Sequence, residues 1–131
     1  MVGGRRVVVG AVLVDGHSRV LAAERTEGGW EFPGGKVEPG ESEPEAVIRE
    51  CQEELGVPVA LDGALDGGQP IAGGGYELRL WTGRVVHGEP VPLVHARLRW
   101  VPVTELTELD WLPADRPFLP QVLARLCRNH S

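Results

Sequence analysis

Cysteine is nearly absent: Cys51 and Cys127 are the two among 131 residues. Two cysteines build no disulfide framework, so a reducing cytoplasm is the expected setting. Basic residues are in deficit, 13 Lys and Arg against 19 Asp and Glu, for a formal charge of −6. That balance argues against binding a nucleic acid polymer, whose backbone demands basic stripes. No apolar run is long enough to span a membrane. Arg5-Arg6 before residues 7–14 superficially resembles a signal peptide, but the run ends at Asp15-Gly16 without a convincing small-residue cleavage site. It reads as a buried strand. The four histidines, His17, His87, His95 and His130, have no metal-like spacing and read as structural or exposed. There is no Walker-type loop to favour attack at a γ-phosphorus, no internal repeat and no linker. With 42% apolar and 24% charged residues, residues 1–131 form one expected domain with a single buried core.

What is present is concentrated in residues 35–57. Glu50, Glu53 and Glu54 fall at i, i+3 and i+4 behind a glycine-rich turn. That spacing puts the three carboxylates on one helix face. Like charges so close destabilise the helix unless a cation sits among them. Oxygen-rich carboxylate clusters suit Mg²⁺ or Mn²⁺, which favour phosphate oxygens as further ligands. Bound cations would also let an acidic chain accept a triphosphate. The bland alternative is a solvated acidic face supported by an Arg49–Glu53 pair.

The surrounding pattern sets the elements. Residues 7–14 read as a strand buried on both faces, Asp15-Gly16 as a turn and residues 19–23 as a partner strand. Residues 30–32 form a short extended piece before the Pro33-Gly34-Gly35 turn. Ser42 and Glu45 make a capping box, with Pro44 tolerated in the first helical turn. Val47, Cys51 and Leu55 face the core, and Gly56 ends the helix. Residues 62–75 hold six glycines and little periodicity, which predicts a mobile loop. Residues 76–86 and 98–103 read as strands, 104–109 as a short helix. Leu119, Val122, Leu123 and Leu126 mark a terminal amphipathic helix. A mixed sheet between two helices is the expected α/β packing.

Gly35, five residues, Glu41, seven residues, Arg49-Glu50-Cys51, one residue, Glu53-Glu54, one residue, Gly56-Val57 resembles the Nudix box. Only Cys51 departs, standing where an aliphatic residue is usual. The segments Trp30-Glu31-Phe32-Pro33-Gly34-Gly35-Lys36-Val37-Glu38 and Leu109-Asp110-Trp111-Leu112-Pro113-Ala114-Asp115 resemble the MutT branch of that family. The resemblance implies a Nudix α/β/α sandwich and a Mg²⁺-dependent nucleoside triphosphate diphosphatase, with Mn²⁺ a possible substitute. Water would attack the β-phosphorus, giving a nucleoside monophosphate and pyrophosphate. Glu50, Glu53, Glu54 and the Gly35 carbonyl are the implied metal ligands, Glu50 or Glu53 acting partly as base. Arg49 would orient the carboxylates, and Glu41 would support the turn or simply favour the helix N-terminus. Arg25 and Lys36 match phosphate-binding positions, though each could be merely exposed.

Glu31, Phe32 and Gly10 match positions lining the nucleoside pocket, although Phe32 also fits the core. Asp115 stands where MutT carries a base-reading asparagine; it equally fits as N-cap of a helix starting near Arg116-Pro117. Val94, just before His95, and Arg99 stand where relatives carry acids, leaving catalysis to the helix carboxylates. Expected substrates are 8-oxo-dGTP or cytosine nucleotides, cleared from the nucleotide pool by a monomer or homodimer. The alternatives are a diphosphate substrate such as ADP-ribose, and a non-catalytic Nudix-like nucleotide-binding module.

Overall fold

The β-branched run near the start forms strand β1 (Arg6–Leu13), and its alternation organises the whole molecule. Val9, Ala11 and Leu13 face one core, and Val12 faces another. The computed structural model describes residues 6–128; Arg5 and His130 lie outside the described residues. Asp15 closes the first turn by accepting from the backbone N–H groups of His17 and Arg19, both at 2.9 Å. β2 (Arg19–Glu24), β3 (Trp30–Glu31) and β4 (Gly34–Lys36) come next, then helix α1 (Glu43–Leu55). β5 (Val59–Ala64), β6 (Gln69–Ile71), β7 (Tyr76–Val85) and β8 (Arg97–Pro102) precede two 3₁₀ turns and helix α2 (Leu119–Arg128).

The expected mixed sheet is β4-β1-β7-β5, with β6 also on β7; β1 and β7 run parallel and the other pairs antiparallel. Beside it lies a second, three-stranded antiparallel sheet, β3-β2-β8. α1 covers one face through Val47, Cys51 and Leu55, packed with Val9, Ala11, Leu13 and Leu21. α2 covers the other through Val122 and Leu126, packed with Val12, Val20 and Leu80. Among the described residues, no helix is long and apolar enough to cross a membrane.

Residues 62–75 are not the expected loop. β5 runs to Ala64, β6 pairs residue by residue with β7, and Leu65 is buried. Glycines 67, 73 and 75 adopt positive φ and make the reversals between these short strands. Their side chains alternate too weakly to register as strands, because pairing comes from the long β7 and not from burial. The predicted short helix near residue 104 is a 3₁₀ turn, Val103–Glu108.

Two local contacts bring the carboxylate helix and the C-terminal segment against the strands. Gly34 lies opposite Gly10, and a Cβ at Gly34 would overlap the Val9 carbonyl oxygen, so only glycine allows β4 this close to β1. The segment after the 3₁₀ turn is strapped to β3: Trp30 N–H donates to the Asp110 carbonyl and Leu112 N–H to the Trp30 carbonyl. Trp111 stacks on Phe32 with ring centroids 4.5 Å apart. Asp115 is thereby carried next to Phe32.

Candidate active site

Gly34 and Gly35, expected in a turn, belong to strand β4, and the end of that strand, the loop after it and α1 are joined through one guanidinium. Ser42 and Glu45 form the expected capping box, and Gly56, in the left-handed conformation, ends the helix. From the second turn, Arg49 reaches back to Glu41 with two hydrogen bonds of 2.7 and 2.9 Å. It also donates to Glu50 (3.0 Å), Glu53 (3.2 Å) and the Lys36 carbonyl (3.0 Å). This fork, with the Glu38 backbone N–H, holds the Glu41 carboxyl down to about 2. Arg49 thus ties the loop to the helix and orients its carboxylates, and Glu41 supports the turn through it.

Glu50 and Glu54 converge one helical turn apart, each side chain only 14% exposed. Burial, then the hydrogen bond and negative charge of Glu50, lift the Glu54 carboxyl to about 8, with the Gly34 N–H opposing. That N–H donates to Glu54 at 3.2 Å. A Cβ on Gly35 would overlap the Glu50 carboxylate, so glycine brings the Gly35 backbone against it. Glu53 is 57% exposed and turned to Arg49. Among the described residues, no three His, Cys, Asp or Glu side chains already form a cage. A divalent cation nevertheless fits. Two half-buried carboxylates face each other beside a glycine-bared backbone, an arrangement that a hard cation relieves.

A further group stands here that the spacing of the chain did not reveal. His95, expected to be structural or exposed, has a side chain 5% exposed, with Nε2 2.8 Å from Glu31 Oε2 and Nδ1 4.0 Å from Glu54 Oε1. The Ala96 N–H bonded to the Glu24 carbonyl fixes it at the mouth of β8. Its only sequence signal was its place beside Val94, where relatives carry acids; Val94 itself is exposed. Arg99 pairs with Glu105. His17 and His87 are exposed, as expected.

Next to the carboxylates, and sharing Glu31 and Gly34 with them, opens a pocket of about 550 Å³. Val8, Phe32, Leu78 and Leu112 give it apolar walls, and Arg25 and Asp115 line it as well. Asp115, 5% exposed, accepts the Phe32 N–H at 3.1 Å. Its carboxyl is pushed up to about 7 by burial and the charge of Glu31, against that hydrogen bond and Arg25. It makes no side-chain cap on the turn after it. Asp115 does stand at the N-cap position of the 3₁₀ turn Arg116–Phe118, as expected, but its side chain is turned inward to β3 and caps nothing there. Phe32 serves both readings, lining the pocket and stacked in the core.

Three predicted positions fall elsewhere or are engaged. Gly10 does not line the pocket; a Cβ there would press on Leu80 Cδ2 at 2.8 Å, so it serves packing behind Phe32. Lys36 is outside the lining, its Nζ 4.9 Å from the Tyr76 ring centroid, because alternation along β4 sends it away from Glu50. Arg25 is at the pocket but bonded to Glu27 at 2.9 Å.

A model of the NUDIX domain matches residues 4–122. Over 128 residues the chain is 38% identical to the Mycobacterium tuberculosis (strain CDC 1551 / Oshkosh) protein named "Putative 8-oxo-dGTP diphosphatase 2", covering 92% of this chain and 90% of that one. It is 32% identical over 126 residues to the CTP pyrophosphohydrolase of Escherichia coli (strain K12), covering 92% and 93%. The solution structure of the E. coli ORF135 protein superposes with a TM-score of 0.77 at 31% identity, covering 96% of this chain and 94% of that one.

Proposed function

This chain belongs to the NUDIX family of phosphoanhydride hydrolases, and we propose that it is a Mg²⁺-dependent nucleoside triphosphate diphosphatase releasing a nucleoside monophosphate and pyrophosphate. The observation that carries this reading is the half-buried Glu50–Glu54 pair directly beside the pocket of Asp115. Family members generally require a divalent metal, usually Mg²⁺. Glu50, Glu54, Glu53 and the Gly35 carbonyl would hold it, Mn²⁺ serving as substitute. Bound there, the cation neutralises charge on phosphoryl oxygens and makes water more acidic.

The other steps belong to the protein. Arg49 keeps Glu50 and Glu53 aimed at the turn, so that one of them takes the proton of the attacking water. Arg25, released from Glu27, meets phosphate at the pocket mouth; Lys36 can do so only after leaving Tyr76. The base lies against Phe32, read by Asp115 and by Glu31. An acceptor at Asp115 suits the exocyclic amine of cytosine or the N–H groups of an oxidised guanine. Cytosine nucleotides and 8-oxo-dGTP are the substrates that fit, in keeping with the names of two relatives, and their removal would sanitise the nucleotide pool. A silent binding module has no need of all three helix glutamates, which supports hydrolysis.

The test is a substrate panel with Mg²⁺ in ¹⁸O-water. Pyrophosphate bearing the label is expected from the favoured triphosphate. Orthophosphate release would overturn the reaction class, label only in the monophosphate would move attack to the α-phosphorus, and faster cleavage of ADP-ribose than of any triphosphate would overturn the substrate.

A further inference from the structure

His95 is the one buried side chain whose polar atom has no hydrogen-bond partner among the described residues: its Nδ1 is unsatisfied. Leaving a buried acceptor or donor unpaired is costly, so such a group calls for an occupant. Its other nitrogen defines what that occupant is. Nε2 lies 2.8 Å from the Glu31 carboxylate. A carboxylate accepts, so Nε2 is the nitrogen that donates to it, and in the tautomer that carries its one proton there Nδ1 offers a lone pair. Nδ1 stands 4.0 Å from Glu54 Oε1, too far for a hydrogen bond. First-row divalent ions hold nitrogen and oxygen donors at about 2.1 Å, so an ion between the two atoms reaches both. A carboxylate orienting an imidazole by its far N–H is also the arrangement that raises a histidine's basicity toward a metal.

We propose that His95 Nδ1 is a nitrogen ligand to a divalent cation shared with Glu54, oriented by Glu31, so that the site favours first-row transition ions over Mg²⁺. An all-oxygen site suits Mg²⁺, whereas imidazole favours the later ions of the row. The inference rests on the reading of Glu50 and Glu54 as metal-holding carboxylates and adds a ligand from β8's side of the site. It also replaces the view that catalytic support comes from the helix alone.

Calorimetric titration of the full chain with Co²⁺ and with Mg²⁺ tests it, together with the ¹H NMR spectrum of the Co²⁺ form. The wild type is expected to show a strongly shifted, exchangeable imidazole proton, the His95 Nε2–H held by Glu31. His95→Asn should abolish that signal and lower the preference for Co²⁺ over Mg²⁺ about tenfold or more. His95→Glu, which returns an anionic oxygen, should restore Mg²⁺ affinity but not the preference. Wild-type Co²⁺ binding without the shifted proton, or an unchanged preference in His95→Asn, overturns the nitrogen ligand alone. Failure of the wild type to bind either ion overturns the carboxylate reading and the inference with it. If His95→Asn proves unfolded by circular dichroism, the wild-type spectrum and His95→Glu decide the matter.

Discussion

Replacing Glu54 by glutamine should make the protein more stable and nearly inactive at once. Burial and then Glu50 displace the Glu54 carboxyl from the ordinary 4.5 to about 8. A carboxyl raised on folding binds its proton more tightly in the native state. Its contribution to stability is therefore greatest below pH 4.5 and is lost as pH rises to about 8. At 1.36 kcal/mol per pH unit, the displacement from 4.5 to about 8 corresponds to about 5 kcal/mol. Both carboxylates keep an exposed edge, and solvent screening there brings the expected effect to about 2 kcal/mol. Glutamine keeps an oxygen for the Gly34 N–H and loses the charge. In urea melts at pH 8 with a chelator, Glu54→Gln should exceed the wild type by that amount, and the gap should close near pH 4.5. Adding Mg²⁺ should stabilise the wild type far more than the variant, while turnover of the variant falls at least about a hundredfold. A metal-free variant less stable than wild type at pH 8, or wild-type turnover at saturating Mg²⁺, would refute the reasoning.

Asp115, pushed up to about 7, donates and accepts below that pH and only accepts above it. The kcat/KM ratio of dCTP to dTTP should therefore climb between pH 6 and 8, toward a limit of roughly five- to a hundredfold, and Asp115→Asn should flatten it; a ratio independent of pH in the wild type would exclude base reading by this carboxyl. Arg49→Lys cannot reproduce the fork across Glu41, Glu50 and the Lys36 carbonyl, so urea melts should show a loss of about 1–3 kcal/mol and turnover should fall with it. Gly35→Ala sets a methyl into the Glu50 carboxylate, and initial-rate assays should show turnover reduced much more than the melting temperature.

Helix α1 was legible because everything that defines it is local. Ser42 and Glu45, the core positions Val47, Cys51 and Leu55, and the stop at Gly56 all lie within one stretch, and short-range spacing fixes a helix face. β5 and β6 were not legible, because their pairing is decided by β7, whose strand they track while burying little. His95 escaped for the same reason at longer range: Glu31 and Glu54 are far from it in the chain, and they are brought to it by the pairing of β2 with both β3 and β8 and by the Leu93 N–H donating to the Glu54 carbonyl. Gly10 and Lys36 show two further failures. Gly10 sits on a strand correctly located, but Leu80 fills the space beside it, and Lys36 lies on β4, where a turn was expected just before it, with its ammonium held over the Tyr76 ring.

The charge around the site bears on how an acidic chain would receive the anionic substrate proposed for it. Glu31, Glu50, Glu54 and Asp115 approach one another from β3, α1 and the segment before α2. Glu31 contributes to raising the pKa of both Glu54 and Asp115. The nearby cations do not balance them: Arg49 is spent on Glu41, Glu50 and Glu53, and Arg25 on Glu27. Burial first, and then this repulsion, raises the Glu54 and Asp115 carboxyls. A divalent cation among the carboxylates would resolve the repulsion, because it compensates their charge without protonating them and keeps positions for phosphate oxygens. On the proposed function, the triphosphate would be drawn to that cation while its base enters the apolar pocket beside it. The negative net charge would then be no obstacle to such a substrate, because the metal and the substrate would bind together.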